Sequence, residues 1–151
     1  MNYDGIWLFG LSGVGKTFAS SYISTKIKNS FVIDGDEVRR FISFDLGYDV
    51  DSRLIQLKRL FGLSNLAVLN KCFPICSSVY MTEDIQKKLY KNNILLVKIE
   101  RDISNLKKNN PTYLNSSNVV GVDIDYPEFS HKTIINMGGS KFCKQLDQIL
   151  I

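Results

Sequence analysis

The chain has 151 residues, 44% of them apolar and 23% charged, which are the proportions of a folded globular protein and argue against a disordered one. Its 19 basic and 15 acidic residues leave a net charge of +4, and Lys87-Lys88 and Lys107-Lys108 stand as isolated pairs; a nucleic-acid binder would cluster its cations, whereas a mild surplus suits a small anionic ligand. Apolar runs fall short of the about 18 residues that span a bilayer, and the first residues carry an acid instead of a basic leader, so one cytoplasmic domain over 1–151 is expected, with no nucleic-acid or membrane partner.

Short apolar runs alternate with amphipathic ones. Gly5–Phe9 reads as a buried strand, and Thr17–Ile27 carries Phe18, Ala19, Tyr22, Ile23 and Ile27 at helical spacing. Phe31–Asp34 reads as a second strand, followed by a short helix over Asp36–Ile42 and a long one over Ser52–Leu69. Phe73–Cys76 is a third strand weakened by Pro74, which cannot donate to a ladder. A helix over Thr82–Tyr90, a strand over Ile94–Ile99 and a short helix over Ile103–Lys108 come next. Asn109–Asn118 is a polar loop. A strand over Lys132–Asn136 and a helix over Lys141–Leu150 close the chain. The alternation predicts an α/β fold with a parallel sheet covered on both faces, and a ligand at the carboxyl ends of its strands. Cys72, Cys76 and Cys143 make no disulfide framework, and with the lone His131 they fall short of a zinc set.

Directly after the first strand stands Gly10-Leu11-Ser12-Gly13-Val14-Gly15-Lys16-Thr17, the G-x-x-x-x-G-K-[ST] phosphate loop in its strand–loop–helix setting. The glycines let backbone N–H groups face an anion, and the helix N-terminus adds its dipole. Lys16 reaches the outer phosphates and Thr17 offers a hydroxyl to Mg²⁺, so the expected ligands are a nucleoside triphosphate and Mg²⁺. The second strand ends in Asp34-Gly35-Asp36, with Arg39 one turn later. Two carboxylates there can serve a metal and a substrate hydroxyl; alternatively Asp36 is only a helix cap and Arg39 a surface charge.

These segments, with Asp45-Leu46-Gly47-Tyr48 and Arg53, resemble the adenylylsulfate kinases. Those enzymes carry Gly-Leu-Ser-Gly-x-Gly-Lys-Ser/Thr, Leu-Asp-Gly-Asp-x-Val/Ile-Arg and Asp-Leu-Gly-Phe in the same order. Asn118–Pro127 resembles the family's Asn-Phe-Thr-Gly-Ile-Asp segment. The resemblance implies a P-loop NTPase fold of α/β/α layers on a five-stranded, mostly parallel sheet. It implies a kinase that moves the γ-phosphoryl group of ATP to the ribose 3′-hydroxyl of an activated nucleotide. Lys16, Asp34 and Asp36 would be its catalytic residues, with Asp36 as the base and with Thr17 and Asp36 at the metal. Arg39, Tyr48, Arg53, Val119, Gly121, Val122 and Asp123 would bind the acceptor, Tyr48 stacking on its base. A lid over about 103–118 and a homodimer are also implied. The competing, less favoured reading has Tyr48 as a half-buried core ring and Arg53 as a helix surface charge.

The chain departs from the pattern in three places. Where the family has an Arg after the third strand, this chain has Cys76-Ser-Ser-Val-Tyr-Met-Thr-Glu83 and no Arg between Arg59 and Arg101. The lid is shorter and less basic, with Arg101-Asp102 ahead of it. Val119 stands where the family has a second stacking Phe. Relatives in bacterial capsule gene clusters, which act on cytidine diphosphoramidate, show a similar Asn-Val-Val-Gly-Val-Asp segment, so adenylyl sulfate and a cytidylyl acceptor are both expected candidates. Another small P-loop kinase, acting on a sugar or antibiotic hydroxyl, and a nucleotide-binding module without catalysis are the competing readings.

Overall fold

Five strands, β1 (Gly5–Phe9), β2 (Ser30–Asp34), β3 (Phe73–Ser78), β4 (Ile94–Glu100) and β5 (Lys132–Ile135), pair in the order β2-β3-β1-β4-β5. Every pairing among them is parallel. The computed structural model describes residues 2–102, 104, 108, 110–125, 129 and 131–151. The helices are α1 (Lys16–Ser24), α2 (Gly35–Phe41), α3 (Val50–Leu69), α4 (Glu83–Lys91), α5 (Pro111–Asn115) and α6 (Gly139–Ile149).

β1 is the axis of the sheet and is buried along its whole length. Its alternate residues serve two cores. Ile6 and Leu8 pack with Ala19 and Ile23 of α1 and Phe142 and Leu146 of α6. Trp7 and Phe9 pack on the opposite face with Leu57 and Leu60 of α3 and Ile85 and Leu89 of α4. Helices on both faces explain why the strands read as continuous apolar runs without polar alternation. The expected three-layer α/β/α fold is present.

Pro74 does not prevent β3 from lying inside the sheet, between β2 and β1. It stands near the start of that strand, and its ring fills the space that a side chain on Gly5 would need: a Cβ there would come 2.6 Å from Pro74 Cγ. β3 also runs two residues past the expected end, through Ser77 and Ser78. Both are buried and polar, and both find partners. Ser77 Oγ donates to Asp34 Oδ2 at 3.2 Å, while Ser78 Oγ accepts from Trp7 Nε1 at 2.9 Å and donates to the Tyr80 carbonyl at 2.8 Å.

Other boundaries move for local reasons. α3 starts two residues early because the carboxylate of Asp49 caps it, accepting from Ser52 N at 2.9 Å. Within the polar loop expected over 109–118 a single turn of helix forms, α5. Asn110 caps it and Pro111 occupies its first turn, the position where a missing N–H is harmless. The helix expected over 103–108 lies largely outside the described residues. The three cysteines are free thiols, and among the described residues no helix is long and apolar enough to cross a membrane.

Leu146 has no exposed surface and closes the core between β1, α1 and α6. Leu146→Ala is expected to lower the unfolding free energy by about 2–5 kcal/mol. Urea titration will read this as a lower midpoint at unchanged slope.

Candidate active site

The first functional element is the turn that follows β1. Gly10 has φ 150°, and a Cβ there would strike the carbonyl oxygen of Ile99 on β4, so the loop passes that strand only as glycine. A loop whose N–H groups gather around an anion points its carbonyls the other way, and those need donors of their own. Three side chains supply donors to four of them. Lys16 Nζ donates to the carbonyls of Gly10 and Leu11 at 2.9 and 2.8 Å. Tyr113 Oη on α5 donates to the Ser12 carbonyl at 2.8 Å, and Asn136 Nδ2, just beyond β5, donates to the Val14 carbonyl at 2.7 Å.

Asp34, the last residue of β2, lies beside this loop. Its carboxylate accepts from Thr17 Oγ1 at 3.2 Å, from Ser77 Oγ at 3.2 Å and from Asp36 N at 2.9 Å. The last bond makes Asp34 the cap of α2, so Asp36 stands in the first turn with an exposed side chain. The carboxylate against Thr17 is therefore that of Asp34, and Asp36 is free to face a second ligand.

Two adjoining cavities meet at this point. The first, of about 280 Å³, is lined by Ser12, Gly13, Gly15, Lys16 and Thr17 of the loop together with Asp34, Asp36, Ser77 and Ser78. The second, of about 400 Å³, has Arg39, Tyr48, Arg53, Gln56 and Val119 in its wall. Ser12, Gly35, Asp36, Ser78 and Val79 line both. Asp36 thus stands on the boundary between the phosphate loop and the second cavity.

In that second cavity the guanidinium groups of Arg39 and Arg53 lie 4.5 and 5.7 Å from the centre of the Tyr48 ring. The ring itself is 57% exposed, so it is neither core nor covered. Arg53 is no surface charge either: it is buried, donating from Nε to the Tyr48 carbonyl and from a terminal nitrogen to the Asn118 carbonyl, both at 2.8 Å. Arg39 donates to the Gly47 carbonyl at 2.7 Å. Gln56 Nε2 holds the Gly35 carbonyl at 3.0 Å.

Residues 119–124 form a tight turn. Val119 is buried in the cavity wall, and its N–H donates to Asp123 Oδ2 at 2.9 Å. Gly121 packs against the side chain of Leu11, while Val122 is exposed. Of the four residues expected here, Val119 reaches the cavity; Gly121, Val122 and Asp123 shape the turn behind it. Sequence reasoning missed Gln56, Ser77, Ser78, Tyr113 and Asn136. Only the two serines carried a readable signal, since they follow an apolar run at a carboxyl strand end.

The fold and this loop define a P-loop NTPase. A sequence model of the adenylylsulphate kinase family matches residues 4–116, and the chain belongs to that family. An adenylyl-sulfate kinase of Rippkaea orientalis is 30% identical over 117 residues, which are 68% of this chain and 65% of that protein. The chain therefore spans just under two thirds of that relative's length. Among solved structures, the Mycobacterium tuberculosis APS kinase in complex with AMPPNP and APS superposes with a TM-score of 0.84 at 17% identity, covering 97% of this chain and 94% of that one. A gluconokinase from Sinorhizobium meliloti shares the fold with a TM-score of 0.66 at 16% identity, covering 99% of this chain and 95% of that one. The fold alone therefore does not choose the acceptor.

Lys16 carries the site's pH dependence. Enclosure by the loop lowers it from 10.5 to about 8, against the opposing pull of Asp36 and Asp34. Between those values an unfolded chain holds more protons, so this group costs stability at neutral pH and the cost fades as pH rises. A polyphosphate favours the charged form, so the sign for binding is opposite. Any affinity of the loop for a polyphosphate is expected to fall by up to about tenfold per unit above pH 8. Titrations between pH 7 and 9.5, with Lys16→Met as the pH-insensitive control, check this.

Proposed function

We propose that this protein is an ATP-dependent kinase that transfers the γ-phosphoryl group to the ribose 3′-hydroxyl of an activated nucleotide, with adenylyl sulfate as the leading acceptor. The observation that carries the reading is the position of Asp36, on the boundary shared by the phosphate-loop cavity and the cavity of Arg39, Tyr48 and Arg53. Family membership and the likeness of fold support it.

In this reading the phosphate loop and Lys16 bind the triphosphate of ATP. The Thr17 hydroxyl and the Asp34 carboxylate, 3.2 Å apart, are hard oxygen donors of the kind that hold Mg²⁺ beside phosphate oxygens. When bound, Mg²⁺ would neutralise charge on the transferring phosphate. Tyr48 offers a face to the acceptor base, and Arg39 offers the acceptor's anionic bridge a planar fork. Asp36 accepts the proton of the 3′-hydroxyl. The hydroxyl oxygen bonds to the γ-phosphorus as the bond from that phosphorus to the bridging oxygen breaks, and ADP leaves.

One observation favours a second acceptor. Val119, not an aromatic ring, stands buried in the wall of the cavity that holds Tyr48. A one-sided platform accommodates a smaller base, so cytidine diphosphoramidate, the acceptor of capsule-modifying relatives, is the alternative. ADP release measured with each compound separately decides between them. Silence with both, alongside intact ATP binding, would overturn both acceptor assignments and favour a binding module or a kinase of another acceptor.

Two variants test the roles. Asp36→Asn is expected to lower turnover by about 10²–10⁴-fold with little change in ATP affinity. Arg39→Ala is expected to raise the acceptor KM by roughly 10–100-fold while leaving the KM for ATP near its starting value. Steady-state kinetics with each substrate varied in turn will read both.

A further inference from the structure

Four carbonyls of the phosphate loop are held by three side chains, and one of these stands on the segment that contributes to the wall of the second cavity. Tyr113 sits on α5, whose neighbours Thr112, Ser116 and Ser117 line that cavity. Its hydroxyl crosses to the Ser12 carbonyl at 2.8 Å, joining residues 101 positions apart. Ser12 in turn lines both cavities. The far end of the same segment is held by Arg53, whose guanidinium donates to the Asn118 carbonyl at 2.8 Å. Residues 111–118 are thus a strap over the second cavity, tied to the phosphate loop at one end and to α3 at the other.

We infer that Tyr113 is a positioning residue that ties this strap to the phosphate loop, so that occupancy of the loop by a nucleoside triphosphate orders the wall of the acceptor cavity. The inference rests on the nucleotide-binding reading above. Its physical basis is the loop backbone. An anion that fixes the N–H groups of residues 13–17 fixes the neighbouring carbonyls as well, and the Ser12 carbonyl passes that order to Tyr113. Lys16 and Asn136 hold other carbonyls, but neither lies on the strap. By linkage, a strap ordered by the donor nucleotide binds the acceptor more tightly, and acceptor binding tightens the donor by the same factor.

Amide hydrogen exchange on the full chain tests this, with Tyr113→Phe, which removes only the hydroxyl, and AMPPNP with Mg²⁺ as the probe. Without nucleotide, the variant is expected to exchange at 112–118 at least about fivefold faster than wild type. With AMPPNP, wild-type exchange at 112–118 should slow by about fivefold or more, while the variant binds AMPPNP within about threefold of wild-type affinity yet shows no slowing there. Equal strap exchange in the two apo proteins would overturn the tie. Equal slowing by AMPPNP in both, or protection of residues 10–17 in wild type with the strap unchanged, would overturn the coupling. Failure of AMPPNP to protect residues 10–17 would instead sink the nucleotide reading, and the tie would then stand or fall on the two apo proteins alone.

Discussion

A phosphate loop can gather its N–H groups only if something else satisfies its carbonyls. In this protein that single requirement reaches across the molecule. Lys16 serves two carbonyls from within the loop, Tyr113 serves one from the strap, and Asn136 serves one from beyond the last strand. The sheet makes those distances short. β1 delivers the loop at its centre, with β3 on one side and β4 on the other, so segments leaving the neighbouring strands arrive at the same rim. An apolar sandwich is therefore the support for a polar ring at its carboxyl edge.

The two carboxylates of Asp34-Gly35-Asp36 show how backbone geometry separates chemically identical groups. Asp34 closes a strand and caps a helix, which holds it among Thr17, Ser77 and the Asp36 N–H. Asp36, two residues later and inside the helix, points away from that set toward both cavities. Gln56 holds the carbonyl of the glycine between them. The division of labour comes from where α2 starts, since the two side chains are the same.

Much of this is legible in the sequence. The phosphate loop is a local pattern whose spacing is set by the anion it wraps, and β1, β2 and β4 each carry a run of three or more consecutive apolar residues. Arg39, Tyr48 and Arg53 converge as expected, although the ring's exposure and the depth of Arg53 cannot be read from spacing. β3 reads two residues short because Ser77 and Ser78 are polar and satisfy their hydroxyls largely with partners far along the chain. α5 reads as loop because a single capped turn has no periodicity to detect. Tyr113 and Asn136 act on backbone carbonyls more than 100 residues away in sequence, and no local signal marks such a contact.

The fit of Pro74 against Gly5 bears on how the sheet finds its alignment. Alternation of apolar and polar residues normally sets register, because a one-residue slip would turn the wrong face to solvent. Here Ile6, Trp7, Leu8 and Phe9 are all buried, so a slipped β1 would still bury four apolar side chains. The pyrrolidine ring has room beside Gly5 and would meet the branched Cβ of Ile6 one step further on. A strand pair with little pattern to align it is keyed instead by one ring and one missing side chain.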